Sequence, residues 1–118
     1  MQNLAAFRYA IAGILYCVRQ ERNMKIHVVA ALAAIFAAWQ MDLSSTEWAI
    51  LLISIAGVIT AELFNTAIES VVDRVSPEMH PLAKAAKDAA AGAVLVQAMA
   101  SLGIGYILFF NKLIKWWG

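Results

Sequence analysis

The chain has 118 residues, 63% of them hydrophobic and only 14% charged, with a net charge of +1. That length admits one domain, and a soluble domain so small could not bury this much apolar surface; a bilayer removes the difficulty. The near-neutral charge offers no field of one sign that would gather nucleic acid. Cys17, the only cysteine, cannot form an internal disulfide and reads as a small buried hydrophobe.

The opening MQNLAAFRYA lacks a basic segment followed by a continuous apolar core and a small-residue cleavage site, so the first segment is expected to stay in the mature protein. Residues 2–20 read as an amphipathic helix. Leu4, Phe7, Ile11, Ile14, Leu15 and Val18 recur at helical spacing, with Arg8, Tyr9, Tyr16, Arg19 and Gln20 off that stripe. A helix of this kind suits the membrane interface. The first span is expected over 24–41, short and alanine-rich, with Lys25 and Trp39 as interface anchors at its two ends. Residues 42–47 form a polar turn, in which Ser44 and Ser45 are candidate N-caps.

The second span is expected over 48–73. It is uncharged from Trp48 until Glu62, and then carries Asn65, Glu69, Asp73 and Arg74. A hydrocarbon layer of about 30 Å takes about 20 helical residues, so a span entered at Trp48 holds Glu62 inside the layer and Glu69 at its edge. Ser76-Pro77 and His80-Pro81 then break the helix. A third span follows over 83–110, with Lys84, Lys87 and Asp88 on its first turns. Its small residues from Ala89 to Ala93 allow close helix approach, and Gly103 and Gly105 read as packing or flexibility positions. The tail KLIKWWG reads as a basic and indole anchor.

The expected fold is therefore an all-α membrane protein, a single domain over 1–118, with an amphipathic surface helix over 1–22 and three transmembrane helices. Arg8, Arg19, Arg22, Lys25, Arg74, Lys84 and Lys87 fall on one side of that topology and only Lys112 and Lys115 on the other, which puts the first set in the cytoplasm.

Glu62, Asn65, Glu69 and Asp73 share one helical stripe about 80° wide, with Thr66 close to it. Carboxylates inside a span face a bundle interior or a cavity, and acids in one row repel unless a cation neutralises them. Lys87, Lys84 and Arg74 are the nearest cations in sequence. Mg²⁺ is the other option, since it is commonly held by one or two carboxylates plus phosphate oxygens; Glu21, closing the surface helix on the same side, is a further candidate ligand. No soluble phosphate-binding signature such as GxxxxGK[ST] or GxGxxG is present. On the residues alone, a metal-dependent enzyme acting on a lipid and a small proton or ion carrier relaying through Glu62 stay open, as does a small structural subunit.

The stretch AELFNTAIESVVDRVSPEMHPLAKAAKDAAAGAVLV, with the pattern E-x-x-N-[ST]-A-I-E-x-x-V-D followed by A-K-D, resembles the membrane-embedded prokaryotic diacylglycerol kinase family, and RQERNMKIH matches as well. The resemblance runs from about Phe7 to Phe110. It implies a homotrimer, with sites built between neighbouring subunits, that phosphorylates the hydroxyl of a membrane lipid alcohol from ATP with Mg²⁺, at the cytoplasmic side of the bacterial inner membrane. By the same resemblance Glu62 matches the catalytic base and acceptor contact, Glu21 and Glu69 the metal ligands that also meet nucleotide, and Asn65 an active-site asparagine. Lys87 and Asp88 match a nucleotide-contacting pair, Glu78 and His80 bound a further nucleotide-contacting stretch, and Tyr9 matches a tyrosine near the nucleotide. Gln2 falls where the family has an arginine that contacts nucleotide, so that contact is absent or passes to Arg8. ERNMKIH, from Glu21 to His27, looks more like the undecaprenol branch, which recycles a lipid carrier, than like the diacylglycerol branch. His27 itself reads as an interfacial histidine hydrogen-bonded to backbone or headgroups.

Overall fold

The computed structural model describes residues 2–117, without the side chains of Gln2, Trp116 and Trp117. The expectations for Gln2 and for the terminal indoles and Gly118 lie outside the described residues. The chain is helical almost throughout, in the order α1 (Gln2–Gln20), α2 (Arg22–Gln40), α3 (Ser45–Val75) and α4 (Pro81–Trp117). Stretches of α2, α3 and α4 are each long and apolar enough to cross a membrane. The first described helix keeps its apolar stripe outward: Leu4, Phe7, Ile11, Ile14 and Leu15 are all exposed, as a helix resting on a bilayer requires.

One residue separates α1 from α2. Glu21 is extended at φ −106° and ψ 118°. Its N–H still donates to the Cys17 carbonyl at 2.9 Å, and its carbonyl accepts from the Lys25 N–H at 3.2 Å. Its own side chain caps nothing. The carboxylate is therefore left free at a bend, where the first N–H groups of α2 favour negative charge.

At the other end of α2, Asp42 takes a left-handed φ of 55°, a conformation that a short polar residue tolerates better than most. Ser44 then starts α3 with a capping box: its hydroxyl accepts from the Glu47 N–H at 3.2 Å, and Glu47 Oε1 accepts from the Ser44 N–H at 2.9 Å. Of the two serines expected as caps, Ser44 is the one that serves. Lys112 of α4 clasps this turn, 3.0 Å from Glu47 Oε1 and 3.4 Å from the Asp42 carbonyl.

Beside that turn lies the apolar core of Ala38, Leu43, Leu51 and Leu108, flanked by Trp48, Ile55, Ile104 and Phe109. α3 packs along α4, whereas α2 meets α3 over a much shorter stretch. The small residues Ala89 to Ala93 are expected to allow close helix approach, with Gly103 and Gly105 as packing or flexibility positions. Among the glycines the close approach is at Gly57, where an added Cβ would stand 2.5 Å from the Gln97 amide nitrogen; neither Gly103 nor Gly105 has a neighbour within 4 Å of that position. The apolar run stops near Phe110, yet α4 continues to Trp117, because no Gly or Pro stands in NKLIKWW to end it.

Ser44→Ala removes one side of the capping box and should destabilise the protein by about 1 kcal/mol. Thr46→Ala, one turn position away with no cap bond, should leave stability nearly unchanged. Thermal unfolding of the two variants in one detergent checks the difference.

Candidate active site at the α1–α2 junction

The polar stripe of α3 meets the junction of α1 and α2 at the end of the bundle opposite the apolar core. Glu62 is only 2% exposed. His27, on the second turn of α2, brings Nε2 to 3.2 Å from Glu62 Oε1. The contact is not aligned as a hydrogen bond, and Oε1 has no hydrogen-bond partner among the described residues. Glu21 and Glu69 are the other charges close enough to act on Glu62, both repelling it while His27 attracts it.

One turn along, Asn65 Nδ2 donates to Glu69 Oε1 at 3.5 Å, leaving Asn65 Oδ1 buried without a partner. Two enclosed acceptor oxygens on adjacent turns thus lack donors. Left so, each costs on the order of 1–3 kcal/mol. A hydroxyl, an ammonium or a metal cation would satisfy them.

Behind this cluster, Cys17 and Thr66 are both buried, with Sγ and Oγ1 3.2 Å apart. This contact and buried Met24 seat the α1–α2 bend against α3. Cys17 is a small buried side chain, as its sequence context suggests, and it also has a polar partner.

The remaining candidates are distributed differently. Lys87 Nζ pairs with Asp73 Oδ1 across α3 and α4 at 2.8 Å and also feels Glu69. Asp88, its neighbour, pairs with Lys84 at 2.6 Å. Both pairs are exposed, so water or phosphate competes for them at little cost. His80 Nδ1 accepts from the Leu82 N–H at 3.1 Å, capping α4 ahead of Pro81, and the Glu78 carbonyl accepts from Ser76 Oγ at 3.1 Å. Tyr9 is exposed and lines a separate hollow of about 250 Å³ on α1 with Ala5, Arg8 and Ala12. Within one chain, then, Glu21, Glu62, Asn65 and Glu69 come together, Lys87 stands at their edge, and Tyr9, Glu78, His80 and Asp88 do not join them.

Among the described residues no three His, Cys, Asp or Glu side chains gather as a metal cage. Two carboxylates from different elements, Glu21 and Glu69, fit Mg²⁺, which takes its other ligands from phosphate and water. They do not fit a metal that needs a closed set of nitrogen or sulfur ligands.

An apolar groove of about 610 Å³ opens between α2, α3 and α4 on the flank of the bundle. It runs from Tyr106 and Phe109 past Ser54 and Ser101, whose hydroxyls are 2.7 Å apart, to His27. Its polar end therefore reaches the imidazole that faces Glu62.

A family model described as prokaryotic diacylglycerol kinase matches residues 8–109. The chain belongs to the prokaryotic diacylglycerol kinase family. It is 47% identical over 108 residues to an undecaprenol kinase of Bacillus subtilis (strain 168), an alignment covering 92% of this chain and 88% of that one. To a diacylglycerol kinase of Synechocystis it is 44% identical over 113 residues, 95% of this chain and 65% of the other. To a diacylglycerol kinase of Escherichia coli (strain K12) it is 34% identical, with 92% and 88% covered. Membership in a lipid kinase family decides between the kinase and the ion-carrier readings that the residues alone left open. The side chain that sequence reasoning undervalued is His27. Its signal was a lone ionisable ring in an otherwise apolar run, at the depth where the acidic stripe begins.

Because Cys17 is sealed between α1 and α3, a maleimide should label it slowly in the folded protein and fully after denaturation in SDS. Thr66→Ala, which opens space beside Sγ, should speed labelling of the folded protein severalfold. A gel-shift time course reads both.

Proposed function

We propose that this protein transfers the γ-phosphate of ATP, with Mg²⁺, to the hydroxyl of a membrane lipid alcohol, undecaprenol being the acceptor. The reaction would run at the cytoplasmic face of the bacterial inner membrane, in a homotrimer with sites between subunits. One observation carries the reading: a buried carboxylate with an unpaired oxygen stands 3.2 Å from His27, the residue that lines the polar end of an apolar groove on the flank of the bundle. A lipid chain lying in that groove would bring its hydroxyl beside Glu62.

Phosphoryl transfer asks a protein for positioning and charge neutralisation rather than covalent chemistry. Glu62 would accept the hydroxyl proton as that oxygen attacks the γ-phosphorus. Asn65 would orient the acceptor and Glu69 through its amide. Glu21 and Glu69 would hold Mg²⁺, which when bound offsets the charge of the phosphates. Lys87 would leave Asp73 for a phosphate oxygen, an exchange made easy by the exposure of the pair. Asp88, Glu78, His80 and Tyr9 are the proposed nucleotide contacts.

The separation of these last residues from Glu62 within one chain supports completion of the site by a second copy. The short contact between α2 and α3 supports it too, since α2 needs further neighbours. The undecaprenol assignment rests on 47% identity to a protein of that activity and on ERNMKIH at the bend. Diacylglycerol is the second reading, favoured by the relatives that carry that activity.

In mixed micelles with Mg-ATP, the wild-type protein should phosphorylate undecaprenol faster than diacylglycerol at equal mole fraction; equal rates would overturn the acceptor assignment, and no transfer to either would overturn the kinase reading. Glu62→Gln should lower turnover by about 10²-fold or more with nucleotide protection against thermal unfolding retained. Glu69→Gln should lose most of the Mg²⁺-dependent part of that protection.

A further inference from the structure

A base buried as Glu62 is must be rid of its proton after every turnover, and its own contact with the outside is almost nil: its side chain is 3% exposed, against 24% for His27. The charged and titratable groups that act on Glu62 are His27 from α2, Glu21 from the bend and Glu69 from its own helix; among the described residues none acts on it from α4. Of these, His27 brings its ring nitrogen within 3.2 Å of the carboxylate, and an imidazole can take up a proton and pass it on near neutral pH. The ring lies about 9 Å along the helix from the polar bend at Glu21, and it is the more exposed member of the pair.

We propose that His27 is a positioning residue for Glu62 and the path by which its proton leaves, an inference that rests on the kinase reading above. The acceptor oxygen forms its bond to the γ-phosphorus as the bond from that phosphorus to the bridging oxygen breaks, and ADP departs with the electron pair. The hydroxyl proton moves to Glu62. It then passes to His27 Nε2, and the resulting imidazolium releases one proton to interfacial water, so that Glu62 is again a carboxylate. No other reactant is consumed. His27 acts through Glu62 and need not touch the phosphate. At 3.2 Å, a small rotation of the ring brings Nε2 into line with Oε1, the alignment that proton transfer needs.

The test uses the full-length protein in lipid micelles. His27→Gln should keep its oligomeric state and its KM for Mg-ATP, lose turnover by on the order of 10²-fold, and change the shape of the pH–rate profile. His27→Ala should regain part of that turnover when imidazole is added. Turnover close to wild type in His27→Gln overturns the proposal. So does a loss that leaves the pH profile unchanged and that imidazole does not relieve, because a purely structural role behaves that way. Should the variants fail to fold, wild-type protein decides: the chain has only two histidines, so ¹⁵N-histidine labelling resolves His27 from His80. Glu62→Gln should change the ¹⁵N ring signals of His27 and leave those of His80 in place; unchanged His27 signals overturn the pairing. A wild-type protein that phosphorylates no lipid alcohol would sink the kinase reading instead, and the labelling would still report on the pair.

Discussion

A carboxylate enclosed in an apolar bundle is the constraint around which this protein is arranged. Glu62 interrupts a helix that is apolar for more than three turns before it, and an unpaired charge there would oppose folding. The chain answers by bending at Glu21, so that α2 turns His27 towards the acid while α1 lays Cys17 on Thr66 just behind it. Cys17 against Thr66 and the fully buried Met24 are the neighbours that seat the bend.

The two ends of the bundle are built by different physics. At one end the capping box, the Lys112 clasp and the apolar core around Leu51 and Leu108 satisfy almost everything they bury. At the other, like charges are drawn together and acceptor oxygens are left without donors. A helix hairpin of α3 and α4 carries both ends, the satisfied one and the unsatisfied one. Sites that hold unsatisfied groups are commonly where a ligand is meant to complete the set.

The same asymmetry bears on assembly. α3 and α4 cover each other along their length, but α2 and the apolar stripe of α1 are left largely to the surroundings. In a bilayer, lipid can cover apolar faces, but it cannot supply the charged partners that the nucleotide-side residues would need. Lys87 and Asp88 are occupied by exposed partners in the single chain, and such pairs are weak enough to be redistributed when phosphates or a neighbouring subunit arrive.

The helices, the row of acids on α3 and the polar turns were legible in the sequence, because periodicity and hydropathy are properties of neighbouring residues. The same local rules narrowed the cap to Ser44 or Ser45 and the nearby cations to Lys87, Lys84 or Arg74, and the structure chose Ser44 and set Lys87 on Asp73. The partners were not legible. His27 with Glu62, Cys17 with Thr66 at a separation of 49 residues, and Gly57 against Gln97 each depend on how far one helix is rotated and slid against another. Local pattern leaves those two freedoms undetermined. Only the docking of the Glu21 bend onto α3 and the packing of α3 on α4 settle them, by choosing which buried polar groups meet and which stay open for a ligand.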